Sequence, residues 1–254
     1  MKVWENCPEL VADVPPHEEF LLPGFIPGDP SAFVLVAAGA KLGKTTLVTQ
    51  MAESLTTGVP FLEGGPSKVD EPWVPAKLSS VFYVQADCSV GEWWKHCVNV
   101  CPTAGFASVV APRNLMADPL GWAKVKAEIA KRKPRVVVWD ALESIVAPSM
   151  DLNTLEGAIM ALKGLRMASQ TTHVILHHNN KAADKGWKDK ISGHHVLQAQ
   201  AAVIVSLQGK TGHATMRVVG RYGLSEADYL LGKDHPKGKR WALRQEGDEW
   251  SDPA

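Results

Sequence analysis

The feature that most constrains this chain is an apolar run that ends directly in a turn of small residues and a Lys-Thr pair. Residues 32–38 read AFVLVAA, and GAKLGKTTL follows without a gap. An uninterrupted apolar run of this length is typical of a strand buried on both faces of a parallel sheet. A helix is predicted to begin at Lys44 and to stop at Gly58 and Pro60. Strand, loop and helix therefore follow one another here.

The loop between this strand and this helix has the spacing AxxxxGKT over residues 38–45, with Ala38 in place of the usual first glycine. Small residues let consecutive backbone N–H groups point inward, and the helix N-terminus adds partial positive charge. In this context Lys44 would reach the β and γ phosphates of ATP, and the Thr45 hydroxyl would bind Mg²⁺. The predicted nucleotide-binding residues are Gly39, Ala40, Lys41, Gly43, Lys44, Thr45 and Thr46.

Two acidic positions are needed besides the loop. The first holds the metal ion through water and should end an apolar strand beside the first one. Asp140 ends RVVVWD and meets this requirement, although it could instead only cap the turn toward Glu143. The second orients or deprotonates water, and both Asp87, after the run VFYVQA, and Glu143 are candidates. The position of Asp87 at a strand end favours Asp87.

Strands and helices alternate along the rest of the chain. Strands are predicted at 81–87, 135–140 and 172–178, with a short one in 107–112, and helices at 89–101, 119–133 and 153–170. Three more strands are predicted at 201–207, 214–220 and 240–245, the last two antiparallel. This order predicts an α/β fold with a doubly wound, mostly parallel sheet and antiparallel C-terminal strands. We expect an extended lead-in at 1–31, which holds six prolines, a single domain at 32–246 and a tail at 247–254.

Composition excludes several classes of protein. Lys plus Arg and Asp plus Glu both number 27, so the net charge is zero and bulk attraction to nucleic acid is absent. No stretch approaches the roughly 18 apolar residues of a membrane span, and the start lacks a signal pattern. The 4 cysteines form no CxxC pair. We therefore expect a cytoplasmic protein without a membrane partner.

The order of motifs resembles a known family. FLLPGFIPGDPSAFVLVAAGAKLGKTTL, VFYVQAD, RVVVWDALESI, HVILHHNNK, ISGHHVLQAQAAVIVSL and VVGRYGLSEADYLL follow one another as in the RecA-like ATPase core of DnaB-type and RepA-type hexameric replicative helicases, in particular the short plasmid and phage members. The resemblance spans roughly residues 20–245. It implies a P-loop ATPase that uses ATP and Mg²⁺ and assembles into a homo-oligomeric, hexameric ring.

The resemblance also implies roles for individual residues. Lys44 and Thr45 match the nucleotide and Mg²⁺ residues, Asp140 the second acidic motif, and Asp87 the acid that closes the second core strand, where the family normally has Glu. His178 falls where the family senses the γ-phosphate, with His177 as the neighbouring alternative. Arg221 falls where the family supplies an arginine finger to the next subunit, but the Lys often found two residues earlier is Val219 here.

A basic loop follows the strand that ends in His178. Positive charge together with one aromatic ring suits single-stranded nucleic acid, because lysines contact phosphates and a ring can stack on a base. In the resembled family the loop at this place lines the central channel. A solvated loop, partly neutralised by Asp184 and Asp189, is the alternative. The predicted nucleic-acid residues are Lys181, Lys185, Trp187, Lys188 and Lys190.

These features together predict a Mg²⁺-dependent ATPase that couples hydrolysis to movement on single-stranded DNA. A recombinase or a helicase loader that uses ATP as a switch is the first alternative, and filament formation would distinguish it from a ring. A P-loop small-molecule kinase is the second alternative, although the chain has no arginine-rich lid segment.

Overall fold

A twisted sheet of nine strands forms the centre of the part of the chain that the structure describes. The structure is a computed structural model, and it describes residues 20–62, 73–179, 187–210, 212–221, 226–233 and 239–244. The sheet strands are β3 (Phe33–Ala38), β4 (Val81–Gln85), β5 (Ala107–Val110), β6 (Val136–Asp140), β7 (Thr172–His178), β8 (Ala201–Lys210), β9 (His213–Gly220), β10 (Ala227–Lys233) and β11 (Trp241–Arg244).

Helices connect the strands, and a small hairpin precedes them. The helices are α1 (Lys44–Thr57), α2 (Val90–Val100), α3 (Pro119–Arg132), α4 (Leu142–Ile145), α5 (Leu155–Ala168) and α6 (Val196–Gln200), with a 3₁₀ turn at Leu115–Ala117. The antiparallel hairpin consists of β1 (Phe20–Leu22) and β2 (Ile26–Pro27). Its apolar side chains are buried in the main core, so packing begins before residue 32, inside the predicted lead-in.

The strand order is β11-β10-β9-β8-β3-β7-β6-β4-β5. The strands from β8 to β5 along this order pair in parallel, whereas β8–β9, β9–β10 and β10–β11 pair antiparallel. The carboxyl ends of β3, β4, β6 and β7 therefore meet at one edge, which we call the loop edge. The predicted fold class, a mostly parallel sheet with antiparallel C-terminal strands, is confirmed.

Each face of the sheet carries its own apolar core because side chains alternate along a strand. In β3, Val34 and Val36 pack on the face covered by α1 and α2, whereas Phe33 and Leu35 pack on the face covered by α3 and α5. Burial on both faces explains why this strand reads as an uninterrupted apolar run. The sheet is thus covered by helices on both sides, as the alternation predicts.

Two features of the predicted topology are wrong. The strand that ends in Asp140, β6, does not lie beside β3, because β7 is inserted between them. The described C-terminal region also has a strand that was not predicted, β10, which lies between the two strands predicted to be antiparallel. β10 was missed because only Leu231 and Gly232 in it are buried, so it carries neither an apolar run nor a clear alternation.

None of the helices in the described ranges is long and apolar enough to cross a membrane.

Candidate nucleotide-binding site

The loop after β3 is shaped by a backbone conformation that favours glycine. Gly43 has φ 97° and precedes α1, whose N-terminus has no side-chain cap. The indole Nε1 of Trp241 donates to the Gly43 carbonyl at 3.1 Å and closes the outer side of the turn. The first N–H groups of α1 have no partner within the helix, so this end of α1 is suited to an anion.

Lys44 is buried at the base of this loop. Its Nζ donates to the carbonyl of Ala38 at 3.0 Å, to that of Gly39 at 3.4 Å and to His178 Nδ1 at 3.1 Å. Burial lowers the pKa of Lys44, and the nearby carboxylates of Glu143, Asp140 and Asp87 oppose this shift. The ammonium group is therefore held at the loop by acceptors that phosphate oxygens could replace.

Asp140 lies in the middle of a hydrogen-bond network. Its Oδ2 accepts from Thr45 Oγ1 at 2.9 Å, Tyr83 OH at 2.8 Å and Gln85 Nε2 at 2.9 Å. Burial raises the pKa of Asp140, although these three hydrogen bonds favour the ionised form. A carboxylate beside a Thr hydroxyl is a set of oxygen donors that suits Mg²⁺. The residues present fit the metal that the sequence predicts, even though β7 separates β6 from β3.

Asp87 and Glu143, the two candidates for activating water, differ in their surroundings. Asp87 is 40% exposed, and its Oδ1 accepts from Arg113 Nη2 at 2.9 Å and from Ser144 Oγ at 3.1 Å. The Glu143 side chain is 32% exposed, and its Oε1 accepts from the His178 backbone nitrogen at 2.8 Å. The role predicted for Asp87 stays a prediction.

The two histidines at the end of β7 face different partners. His178 contacts Lys44, and the role predicted for it as a sensor of the γ-phosphate stays a prediction. His177 is almost completely buried, with Nδ1 2.6 Å from Glu143 Oε1 and Nε2 donating to the Ser192 carbonyl at 2.7 Å. Burial alone would raise the pKa of Glu143, but the contacts with His177 and the His178 N–H lower it to about 2.

A cavity of about 410 Å³ opens beside Thr46, between α1, α2 and the C-terminal strands. His96 lies in its wall, and its Nε2 is 3.1 Å from Thr49 Oγ1. Burial, together with Lys233 and Lys239, lowers the pKa of His96 to about 4, so this ring is neutral at pH 7. The cavity could hold the part of a nucleotide beyond the phosphates. Its lining residues are Thr46, Glu92, Lys95, His96, Asn99, Val100, Lys233 and Lys239.

Arg221 does not join this cluster. It follows the end of β9, where Gly220 pairs with Val203 of β8, and Val203 pairs with Val34 at the start of β3. Arg221 is therefore at the edge opposite the loop edge, about 13 Å away along the strand direction. Its backbone N–H donates to the Ala202 carbonyl at 2.8 Å, and its guanidinium contacts the Ala199 carbonyl.

The predicted nucleic-acid loop leaves β7 at the loop edge, directly after His178. Lys181 and Lys185 lie outside the described residues. Trp187 is half-buried, with Lys188 Nζ 5.2 Å and the Arg217 guanidinium 5.6 Å from its ring centre. Lys188 is exposed and Lys190 is half-buried. The ring of Trp187 thus has one cation of the loop, Lys188, and one cation of β9, Arg217, beside it.

Sequence reasoning missed several residues of the site. Tyr83 and Gln85 were not predicted to bind Asp140, although two polar groups two positions apart in an apolar strand share one face. The closure of the loop by Trp241 left no local signal because 198 positions separate it from Gly43. The link between Glu143 and His177 was also missed, and it depends on how α4 turns back onto β7.

The fold and the site define the class of protein: a P-loop ATPase with a RecA-like core. Residues 8–184 match the model of the AAA domain family, and because this match spans more than half of the chain, the chain belongs to that family. It is also similar in structure to a KaiC-like protein from the hyperthermophilic archaeon Pyrococcus horikoshii. That similarity has a TM-score of 0.49 and 14% sequence identity, and it covers 89% of this chain and 94% of the other. No curated protein sequence matches the chain at a significant level.

Proposed function

We propose that this chain is a Mg²⁺-dependent ATPase motor of the replicative DNA helicase type, which forms a hexameric ring and acts on single-stranded DNA. The observation that carries the ATPase part is the contact between Thr45 and Asp140, at 2.9 Å, beside the buried Lys44. Lys44 and Thr45 begin α1, whereas Asp140 ends β6, and their meeting at one edge matches the needs of phosphate and metal binding.

Each residue of the site has a distinct task in this proposal. Lys44 would exchange its carbonyl acceptors for the β and γ phosphates of ATP, while the N-terminus of α1 binds the same anion. Thr45 and Asp140 would hold Mg²⁺, which neutralises charge on the phosphates when it is bound. Tyr83 and Gln85 keep the Asp140 carboxylate in place. His178 would report the state of the phosphate site to the loop that follows it.

The position of Arg221 supports assembly. An arginine at the edge opposite the loop edge has no route to the phosphate site of its own chain, but it can reach the site of a neighbour in a head-to-tail ring. Such a ring places one subunit's Arg221 against the next subunit's Lys44. This arrangement is the one that an arginine finger requires.

The basic loop supports the choice of single-stranded DNA. It begins one residue after His178, so a change at the phosphate site has a short path to it. Trp187 and Lys188 combine a ring with a cation, the pairing that single-strand binders use. The half-buried position of Trp187 leaves part of the ring available for a base.

The experiment that tests the proposal measures the ATPase rate with and without single-stranded DNA, and the mass of the assembly under the same conditions. We expect hydrolysis that depends on Mg²⁺, rises with single-stranded DNA and accompanies a closed oligomer of about six chains. Hydrolysis without any response to DNA, in a monomer, would contradict the helicase type but not the ATPase. A filament that exchanges strands would instead support the recombinase alternative.

A further inference from the structure

Glu143 has one carboxylate oxygen that no described residue satisfies. Its Oε1 lies 2.6 Å from His177 Nδ1 and 2.8 Å from the His178 backbone nitrogen. Its Oε2 is buried and has no hydrogen-bond partner within the described ranges. A buried, unpaired carboxylate oxygen is costly, so its retention calls for a partner that the described residues do not supply.

The location of Glu143 indicates which partner this is. Glu143 lies in the first turn of α4, three residues after Asp140. Its Oε1 accepts from the backbone N–H of His178, whose ring contacts Lys44. Among the carboxylates near Lys44, Glu143 makes the largest contribution to keeping the lysine charged. The Glu143 carboxylate is therefore close to Lys44, the residue that would meet the γ-phosphate of ATP.

Asp87, the other candidate, is already engaged. Arg113 and Ser144 both donate to its Oδ1, and the side chain is 40% exposed. These contacts tie the end of β4 to α4 and direct the carboxylate toward Arg113. Asp87 is also one methylene shorter than the glutamate of the family that the sequence resembles.

We propose that Glu143, rather than Asp87, orients the water molecule that attacks the γ-phosphate of ATP. This inference rests on the proposed ATPase function. Oε2 accepts a hydrogen bond from the water, whose oxygen forms a bond to the γ-phosphorus as the bond from that phosphorus to the bridging oxygen of ADP breaks. ADP leaves with the bridging oxygen, and the proton of the water ends on the released phosphate. The low pKa of Glu143, about 2, keeps the carboxylate ionised as an acceptor.

The test compares two matched isosteric variants, Glu143→Gln and Asp87→Asn. Glutamine keeps an acceptor oxygen for the His178 N–H but removes the charge beside His177 Nδ1, so unchanged ATP affinity is needed to exclude a merely structural effect. We expect Glu143→Gln to lower the hydrolysis rate constant about 100-fold. Its affinity for a fluorescent ATP analogue should stay within about threefold of wild type, and bound nucleotide should be recovered as ATP rather than ADP. Asp87→Asn should lower the rate constant at least tenfold less than Glu143→Gln does.

Three outcomes would overturn the assignment: wild-type hydrolysis by Glu143→Gln, a loss of ATP affinity as large as the loss of rate, or a loss in Asp87→Asn as large as in Glu143→Gln. If Glu143→Gln does not fold, Glu143→Asp keeps the charge but shortens its reach, and it should slow hydrolysis at least tenfold with ATP still bound. The variant Lys44→Ala distinguishes a failure of this inference from a failure of the proposed ATPase function. If the wild-type chain does not hydrolyse ATP, or hydrolyses it equally well without Lys44, both the ATPase function and the role of Glu143 are overturned. If hydrolysis depends on Lys44 but Glu143→Gln keeps the wild-type rate, only the role of Glu143 is overturned.

Discussion

Lys44 is the residue on which the phosphate site depends most directly. Replacing it with Ala removes the positive charge where negative charge must be stabilised, and we expect a loss of hydrolysis of at least about 10²-fold. The fold should survive, because burial already lowers the pKa of Lys44 and the charge is costly to bury. Hydrolysis assays with circular dichroism would check both points, with Lys124→Ala on α3 as the matched control. Wild-type hydrolysis by Lys44→Ala would contradict the assignment of the loop.

His173 gives the fold a dependence on pH that is separate from the site. Its Nδ1 accepts from Trp139 Nε1 at 3.0 Å, which requires the neutral ring, and its Nε2 is 3.3 Å from the Ser169 carbonyl. Burial lowers the pKa of His173 to about 4. Because the unfolded chain takes up this proton near the ordinary pKa of 6.5, the stabilisation is complete above pH 6.5 and is lost as pH falls toward 4.

The expected size of this effect is about 2 kcal/mol of unfolding free energy between pH 8 and pH 5. His173→Asn keeps an acceptor for Trp139 but cannot titrate. The variant should be less stable at pH 8 and lose less stability on acidification than wild type does. Urea unfolding at both pH values measures this difference, and His195→Asn, at an exposed histidine, is the control. Equal acid sensitivity in wild type and His173→Asn would show that His173 does not stay neutral in the fold.

At the scale of the element, the turn into α1 depends on a glycine and a distant tryptophan. A Cβ on Gly43 would lie 2.8 Å from Trp241 Nε1, and the φ of 97° is strained for any other residue. We expect Gly43→Ala to destabilise the fold by about 1–3 kcal/mol and to weaken ATP binding. Gly91→Ala is the matched control, because a Cβ there meets nothing within 4 Å and Ala favours α2. Thermal melting with and without ATP distinguishes the two variants, and an unaffected Gly43→Ala would argue against a rigid turn.

The basic loop after β7 can be tested as a unit. Replacing Lys181, Lys185 and Lys188 with Ala should weaken binding of single-stranded DNA and flatten its dependence on salt, since each phosphate contact releases counterions. A triple variant at Lys124, Lys126 and Lys131, on α3, removes the same charge elsewhere and should keep the wild-type salt slope. Fluorescence anisotropy at several salt concentrations measures both slopes. If the loop variant keeps the wild-type salt slope, the loop is solvated and does not bind single-stranded DNA.

The elements also show how far sequence reasoning extends. The apolar run of β3 and the start of α1 at Lys44 were predicted because each signal is local. The contact of Trp241 with Gly43 could not be predicted in this way, because it depends on where β11 lies in the sheet. The insertion of β7 between β3 and β6 is likewise a property of strand order, and the pattern of apolar residues along the chain does not determine strand order.

At the scale of the whole molecule, the sheet separates residues that the sequence grouped into one catalytic set. Lys44, Asp140 and His178 meet at the loop edge because all three follow or end parallel strands. Arg221 follows β9, which is antiparallel to β8, and so it emerges at the opposite edge. Glu226 and Asp228, with which Arg221 could have formed a surface ion pair, both contact Arg217 instead. The proposed action of Arg221 on another chain is therefore a role that no contact with these carboxylates replaces.

This geometry leads to a prediction about mixed assemblies. Arg221→Ala and Lys44→Ala should each be nearly inactive alone, since an arginine supplied in trans contributes about 10³ to 10⁵ in rate in other P-loop enzymes. In a mixture, a subunit with intact Arg221 can complete the site of a neighbour with intact Lys44, so hydrolysis should reappear and peak at intermediate ratios. Arg217→Ala, mixed in the same way, is the control and should keep its activity without a partner. Full activity of Arg221→Ala alone, or no rescue although mixed assemblies form, would contradict a finger in trans.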